Sequence, residues 1–424
     1  MIVAALALLI LLISGLPIAW SFGLAAIFAL VWEGLPLLNL PTKLFAGIDS
    51  FVLLAAPFYI VAGELMNKGG ISERLIRFSI IVVGRIRGGT AYAAVVTSVL
   101  FAGISGTAIA DIAALGNIFI NSMAKEGYKK AFAAALVAAG SIIGPIIPPS
   151  VIMVLYAAVA DLSVLKLFLG GIVPGILLGV ACGVVVFIKG LRGELPPSNL
   201  MVPAEERPKV IRDGLLVLTL PGFIVFGTLS GVFTPTEAGG IAVIYAIFLG
   251  TVVFRHLDLS GLLKSFRAAA RLTAALFMMI AAVEVFNYIL IIGGIEEWTQ
   301  GVLNFFKGNP TVFLLICVVV LLFIGMALDA GPALLLLAPV VLPLTRAMGI
   351  DDIHFSMIMI VSTVMGLISP PVGVCLFVTC RIADIRLREL WKELQWFFYA
   401  QIGVIVLLVF FPVLSTGLPN WLRP

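Results

Sequence analysis

The sequence predicts an all-α polytopic membrane protein, built as an inverted-topology repeat with two re-entrant hairpins and two discontinuous helices. Three observations predict it. The 424 residues are 62% hydrophobic and only 11% charged, with a mean hydropathy of +1.21. That is more apolar surface than a soluble chain can bury. Apolar runs long enough to span a bilayer recur from end to end. Two diprolines, in "GPIIPPS" (144–150) and "GLISPPV" (366–372), interrupt two of those runs in the same way. Each diproline removes two N–H donors and blocks helix continuation.

Shifting the sequence on itself by 222 positions brings Pro148-Pro149 onto Pro370-Pro371, Gly144 onto Gly366, Gly127 onto Gly349, Phe101 onto Phe323 and Gly103 onto Gly325. A shift of 224 brings Gly69-Gly70-Ile71 onto Gly293-Gly294-Ile295. The landmarks keep their order, so two repeats are expected, at 1–188 and 214–424, around a polar, Pro-containing cytoplasmic linker at 189–213.

Basic residues orient the loops. Segment 68–87 carries Lys68, Arg74, Arg77, Arg85 and Arg87 against Glu73, and segment 124–130 carries Lys125, Lys129 and Lys130 against Glu126. Both are expected on the cytoplasmic side. The 36 residues between them, 88–123, must then enter and leave on one side, which fits a hairpin of two half-helices. The second repeat reverses the pattern. Glu296 and Glu297 against Lys307, then Asp351 and Asp352 against Arg346, flank a second hairpin at 309–345 on the outside. Corresponding loops on opposite sides are the signature of inversion.

Each repeat then needs an odd number of crossings. The expected spans are 1–14, 17–33, 50–67, 131–160 and 167–188, followed by 214–230, 237–254, 272–292, 353–380 and 394–412. Segments 131–160 and 353–380 are the broken helices. Basic segments 189–212, 255–271 and 381–392 fall inside, and both termini are expected in the periplasm. The stretch 1–14 is short for a span of about 20 residues. It lacks the basic n-region of a signal peptide, and is read as a retained span.

Non-helical backbone at membrane depth survives only where it is buried or lines a cavity. Each repeat pairs a hairpin tip with a broken helix: "AGISGTA" (102–108) with "GPIIPPS", and "GMALDAGPA" (325–333) with "GLISPPV". Such breaks leave carbonyls at half-helix C-ends and N–H groups at N-ends without partners. The carbonyls suit a hard cation such as Na⁺ and the N–H ends suit a carboxylate. The plain alternative is that the diprolines only kink packed helices; matched repeat positions argue against it.

Asp111, six residues past "SGT", is an intramembrane carboxylate and therefore a functional candidate. Asp329 occupies the position paired with Thr107, and its alternatives are cation binding and capping of the following helix. Arg381 is a candidate partner for a substrate carboxylate, with snorkelling to the interface as the plain alternative. Glu64 and Glu284 lie inside spans without an assigned role. His256 and His354 are placed at loop or span ends. The four cysteines (Cys182, Cys317, Cys375 and Cys380) sit in apolar segments without metal-like spacing and read as packing residues.

Enzyme readings fail on the motifs. "GISGT" (103–107) departs from a G-x-S-x-G elbow at Thr107, and no strand precedes it. The chain has no P-loop and no H-E-x-x-H.

With these motifs assembled, the chain resembles the large membrane (M) subunit of the tripartite ATP-independent periplasmic (TRAP) transporters over essentially its full length. The carrying stretches are "FAGISGTAIADIAALG" (101–116), "GPIIPPSVIMVLYA" (144–157), "FIGMALDAGPALLLLAPVVLP" (323–343) and "GLISPPVGVCLFV" (366–378). The resemblance implies an elevator-type secondary transporter of the bacterial inner membrane, importing an organic acid such as a C4-dicarboxylate or a sialic acid on a sodium gradient. It implies a small four-helix membrane subunit, expected as a separate chain, and a soluble periplasmic binding protein that delivers the substrate. No cofactor, ATP or nucleic acid is expected; Na⁺ is the coupling ion.

Carried over position by position, the first sodium site comprises Ser105 and Thr107 with backbone carbonyls of Gly144, Ile147 and Pro149. The repeat shift nominates Gly325, Asp329, Gly366, Ser369 and Pro371 for the second. Asp111 matches a family acidic position near the substrate; Arg381 remains the second substrate candidate from the residues alone. The first tip reads S-G-T where many relatives have S-G-S, which keeps the hydroxyl. The runner-up reading is a stand-alone secondary anion transporter or antiporter that needs no binding protein.

Overall fold

The computed structural model describes residues 2–422 apart from 85, 198–201, 295–300, 304, 307 and 308; the side chains of residues 2, 5 and 105 also lie outside it. Arg85, Glu296, Glu297 and Lys307, used above to orient loops, therefore fall outside the described residues. Among the described residues, eight helices are long and apolar enough to cross a membrane. Their outward faces are apolar too: Phe226, Ile244 and Phe323 are each more than half exposed, as lipid-facing side chains are.

Five consecutive helices of the first half recur in the second. Gly89–Ser105, Ala108–Lys125, Lys130–Ser141, Val151–Ala160 and Val164–Leu191 correspond to Pro310–Ala327, Ala330–Ala347, Asp352–Gly366, Val374–Ala383 and Leu387–Phe410. Each pair of starts lies 221–223 residues apart. The first two of each set form a hairpin. The next two form a helix broken at 142–150 or 367–373, where the Pro148–Pro149 and Pro370–Pro371 bonds are both cis.

The two sets exchange parts. Val151–Ala160 packs on the second arm of the second hairpin, and Val374–Ala383 packs on the second arm of the first. Hairpins and broken helices thereby form one bundle. A second bundle is organised around the long helix Leu259–Ile292, which packs against Ile18–Trp32, Asn39–Ile48 and Ala55–Lys68; the last of these also packs on Pro235–Phe248.

Three expectations need correction. The hairpin arms are 17 to 18 residues each, not half-helices. At 1.5 Å per residue they are about 26 Å long, because each turn consumes only two residues. The basic segment 255–271 and the span 272–292 are mostly one 34-residue helix, Leu259–Ile292. A row of charges at one end does not interrupt helical hydrogen bonding, so the charged end simply extends past the apolar part. The expected linker 189–213 is shorter, since Val164–Leu191 runs into it and Arg207–Leu229 starts inside it. The four cysteines are free, with Cys182 and Cys375 buried. His354 is buried, its Nδ1 2.9 Å from Ser415 Oγ.

Candidate functional site

The first hairpin turns at Gly106 and Thr107. Gly106 adopts φ +66°, a left-handed conformation that only glycine takes without strain. Thr107 then caps the second arm, its Oγ1 accepting from Ala110 N at 3.4 Å. The second hairpin turns at Leu328 and Asp329, and Asp329 Oδ1 accepts from Ala330 N at 2.9 Å. Asp329 is thus a helix cap, one of the two roles weighed from the sequence.

At the first break, Ser150 caps Val151–Ala160, accepting from Met153 N and donating to the Pro145 carbonyl at 2.6 Å. Among the described residues no hydrogen bond ends on the carbonyls of Gly144, Ile147 or Pro149. These are acceptors without partners in a buried stretch, the situation that draws a cation. A Cβ at Gly144 would overlap Asp111 Oδ2, so the buried Asp111 carboxylate lies directly against this break. Gly103, on the first arm, approaches the Pro148 carbonyl, which a Cβ there would meet at 3.0 Å.

The second break is held differently. Gly366 packs on Gly325, where an added Cβ would stand 2.5 Å from the Gly325 carbonyl carbon. The Gly366 carbonyl accepts from Ser369 N at 2.9 Å, and Ser369 Oγ donates to the Met365 carbonyl. Pro371 is exposed, whereas the first break is almost wholly buried.

Between the two bundles lies a cavity of about 310 Å³. Thr107, Val151, Asp329 and Leu367 line it from the hairpin side, and Glu64 and Asn67 from the helix Ala55–Lys68. Three helices therefore begin at this cavity: Ala108–Lys125, Val151–Ala160 and Ala330–Ala347. Ala108, Ile109, Val151 and Ile152 have N–H groups with no acceptor among the described residues. No basic side chain is among the lining residues. Helix N-termini with free N–H groups carry partial positive charge and accept anions.

A model of the "Tripartite ATP-independent periplasmic transporter, DctM component" family matches residues 5–414. The chain belongs to this family. Among its relatives, the sialic acid TRAP transporter large permease protein SiaM of Vibrio cholerae is 36% identical, covering 97% of this chain and 96% of that one. The C4-dicarboxylate TRAP transporter large permease protein DctM of Pseudomonas aeruginosa is 38% identical, over 91% and 90%. The crystal structure of the Alcanivorax borkumensis YdaH transporter shares the fold, with a TM-score of 0.64 at 16% identity over 88% of this chain and 86% of that one. This TRAP permease is thus a multi-span membrane transporter subunit and not an enzyme.

Of the residues singled out in the TRAP permease sequence, the cavity unites Thr107 and Asp329, while Gly144, Ile147 and Pro149 gather with Asp111 at the first break. The Ser105 side chain lies outside the described residues. Arg381 is exposed in the last turn of Val374–Ala383 and does not line the cavity. Glu284 lies against Gly47, in the contact between Asn39–Ile48 and Leu259–Ile292. Glu64 was visible as an intramembrane carboxylate; that it faces the hairpin tips was not. Asn67 carried no signal, being one polar residue near a helix end.

Proposed function

We propose that the chain is the sodium-coupled permease subunit of a TRAP transporter that imports a small organic acid. A periplasmic binding protein delivers the substrate, and a small four-helix membrane subunit completes the complex in the inner membrane. One observation carries the reading: three capped helix N-termini meet at a cavity whose charged lining residues are Glu64 and Asp329. An anion entering there finds N–H donors but no basic side chain, so its charge needs cations that arrive with it.

The donor sets fit such cations. Thr107 Oγ1 and the carbonyls of Gly144, Ile147 and Pro149, with Ser105, make the first sodium site. Asp329 with Gly325, Gly366, Ser369 and Pro371 makes the second. All are oxygen ligands, which hard cations prefer. Substrate and ions then travel with the hairpin bundle as it slides against the Leu259–Ile292 bundle, the elevator movement. Both periplasmic and cytoplasmic access follow from that slide, because the site itself stays intact.

Reconstitution of the permease with its small subunit into proteoliposomes tests this. With substrate-loaded binding protein outside, an inward sodium gradient drives accumulation of the labelled acid, and an equal potassium gradient does not. Equal uptake under both gradients would remove sodium coupling. Uptake without any binding protein would favour a stand-alone transporter.

A further inference from the structure

The cavity has a second wall, and its chemistry differs from that of the hairpin side. Its polar residues are Glu64 and Asn67, near the C-terminal end of the helix Ala55–Lys68. Asn67 lines the cavity, and its Oδ1 accepts from Ser72 Oγ at 3.2 Å, which leaves its NH₂ group as a donor. Glu64 Oε2 lies 4.0 Å from Lys68 Nζ, with both side chains about one-third exposed (33% and 37%). A pair at that distance and exposure contributes little, and Lys68 is not among the lining residues. A ligand on this wall therefore meets a carboxylate.

A carboxylate only accepts hydrogen bonds. Consider an acid whose own carboxylate is held by the N–H groups of Ala108, Ile109, Val151 and Ile152. Its far end then points toward Glu64 and Asn67. Hydroxyl, amide or amine groups there donate to Glu64. A second carboxylate would instead stand a few ångströms from a like charge, and in a partly wet site this repulsion lowers affinity by about tenfold or more. A volume of about 310 Å³ lies at the small end of ligand pockets and admits a sugar-sized acid.

Resting on the reading of the chain as an acid importer, we infer that Glu64 and Asn67 set its substrate class: a monocarboxylate whose tail carries hydrogen-bond donors, with C4-dicarboxylates excluded. The two relatives described above are named for one acid of each kind, so the family alone does not choose. The polar pair on the helix Ala55–Lys68 does.

Thermal unfolding of the purified permease–small subunit complex in sodium buffer, titrated with four probes, tests it. D-gluconate and N-acetylneuraminate are hydroxylated monocarboxylates, butyrate is a monocarboxylate without donors, and succinate is a dicarboxylate. The first two should stabilise the complex at concentrations about tenfold or more below those needed for succinate, with butyrate weaker than both. Glu64→Gln should narrow the gluconate-to-succinate ratio by about tenfold, since the amide does not repel the second carboxylate. Succinate binding the wild type as well as gluconate, or an unchanged ratio in Glu64→Gln, would overturn the inference and leave acid import standing. If Glu64→Gln does not fold, the wild-type order of probes decides alone. A complex that responds to none of the four at any sodium concentration would overturn the acid-import reading along with this one.

Discussion

Thr107 and Asp329, 222 residues apart, do the same two jobs: each caps the second arm of a hairpin, and each lines the cavity of about 310 Å³ between the bundles. Their chemistry differs at the point that matters for a cation. Thr107 offers a hydroxyl and Asp329 a carboxyl group. The two halves of the molecule thus present unequal side chains at equivalent places.

Asp329→Asn separates capping from charge, because asparagine caps a helix as well as aspartate does. The variant should fold with near-wild-type stability while the sodium concentration for half-maximal uptake rises by about tenfold, one charge–ion contact in a partly wet site. Thr107→Ser should keep the wild-type sodium response; Thr107→Val should lose it and cost about 1 kcal/mol of cap energy. Sodium-dependence curves for the three variants decide it, and three unchanged midpoints would remove both residues from cation binding.

Asp111→Ala should abolish uptake and leave membrane insertion intact. Its carboxylate lies against Gly144 at the first break. Gly144→Ala, which drives a methyl group into the same oxygen, should phenocopy it. Wild-type transport by purified Asp111→Ala in proteoliposomes would refute the assignment.

Gly325→Ala should destabilise the protein by about 1–3 kcal/mol, the usual penalty of overpacking. The added Cβ would overlap the Thr363 carbonyl, a backbone atom that cannot swing aside. Gly183→Ala supplies the contrast: nothing lies within 4 Å of its Cβ, and alanine is the better helix former. Melting temperatures of the two variants in one detergent should move apart. Equal shifts would mean that the contact between the second hairpin and its broken helix is looser than described.

Glu126, just past the first hairpin, has its carboxyl pushed up from the ordinary range by burial, partly offset by the Thr90 hydroxyl, which donates to it at 2.6 Å. A folded-state value above the unfolded one means that Glu126's contribution to stability is fully present below the ordinary glutamate value, about 4.3, and is lost as pH rises through the raised value. Glu126→Gln should therefore raise the melting temperature at neutral pH, with the gain shrinking toward pH ~4. A gain that is constant across that range would exclude the carboxyl's ionisation as its source.

Much of this architecture was legible in the chain. The places of both breaks follow from the two diprolines, which act on their own backbone, and those of both hairpins from the charged segments that flank them. No expected span covers the helix Asn39–Ile48; its Pro41 sits in the first turn, where a missing N–H costs nothing. The arm lengths were misjudged because a two-residue turn leaves no polar stretch to see. Arg381 was nominated on chemistry alone, and its helix turns that side chain outward.

The sequence by itself determined the membrane class, the duplicated order of elements and the places where helices must stop. Those properties reside in composition and in the local covalent limits of proline and glycine. Only the tertiary structure decided that the two halves exchange the second segments of their broken helices, that three helix N-termini face one cavity, and that Glu64 closes its far wall. Residues brought together across 43 and 265 positions of chain, as Glu64 is with Thr107 and Asp329, meet through the packing of whole helices. No local pattern encodes that direction.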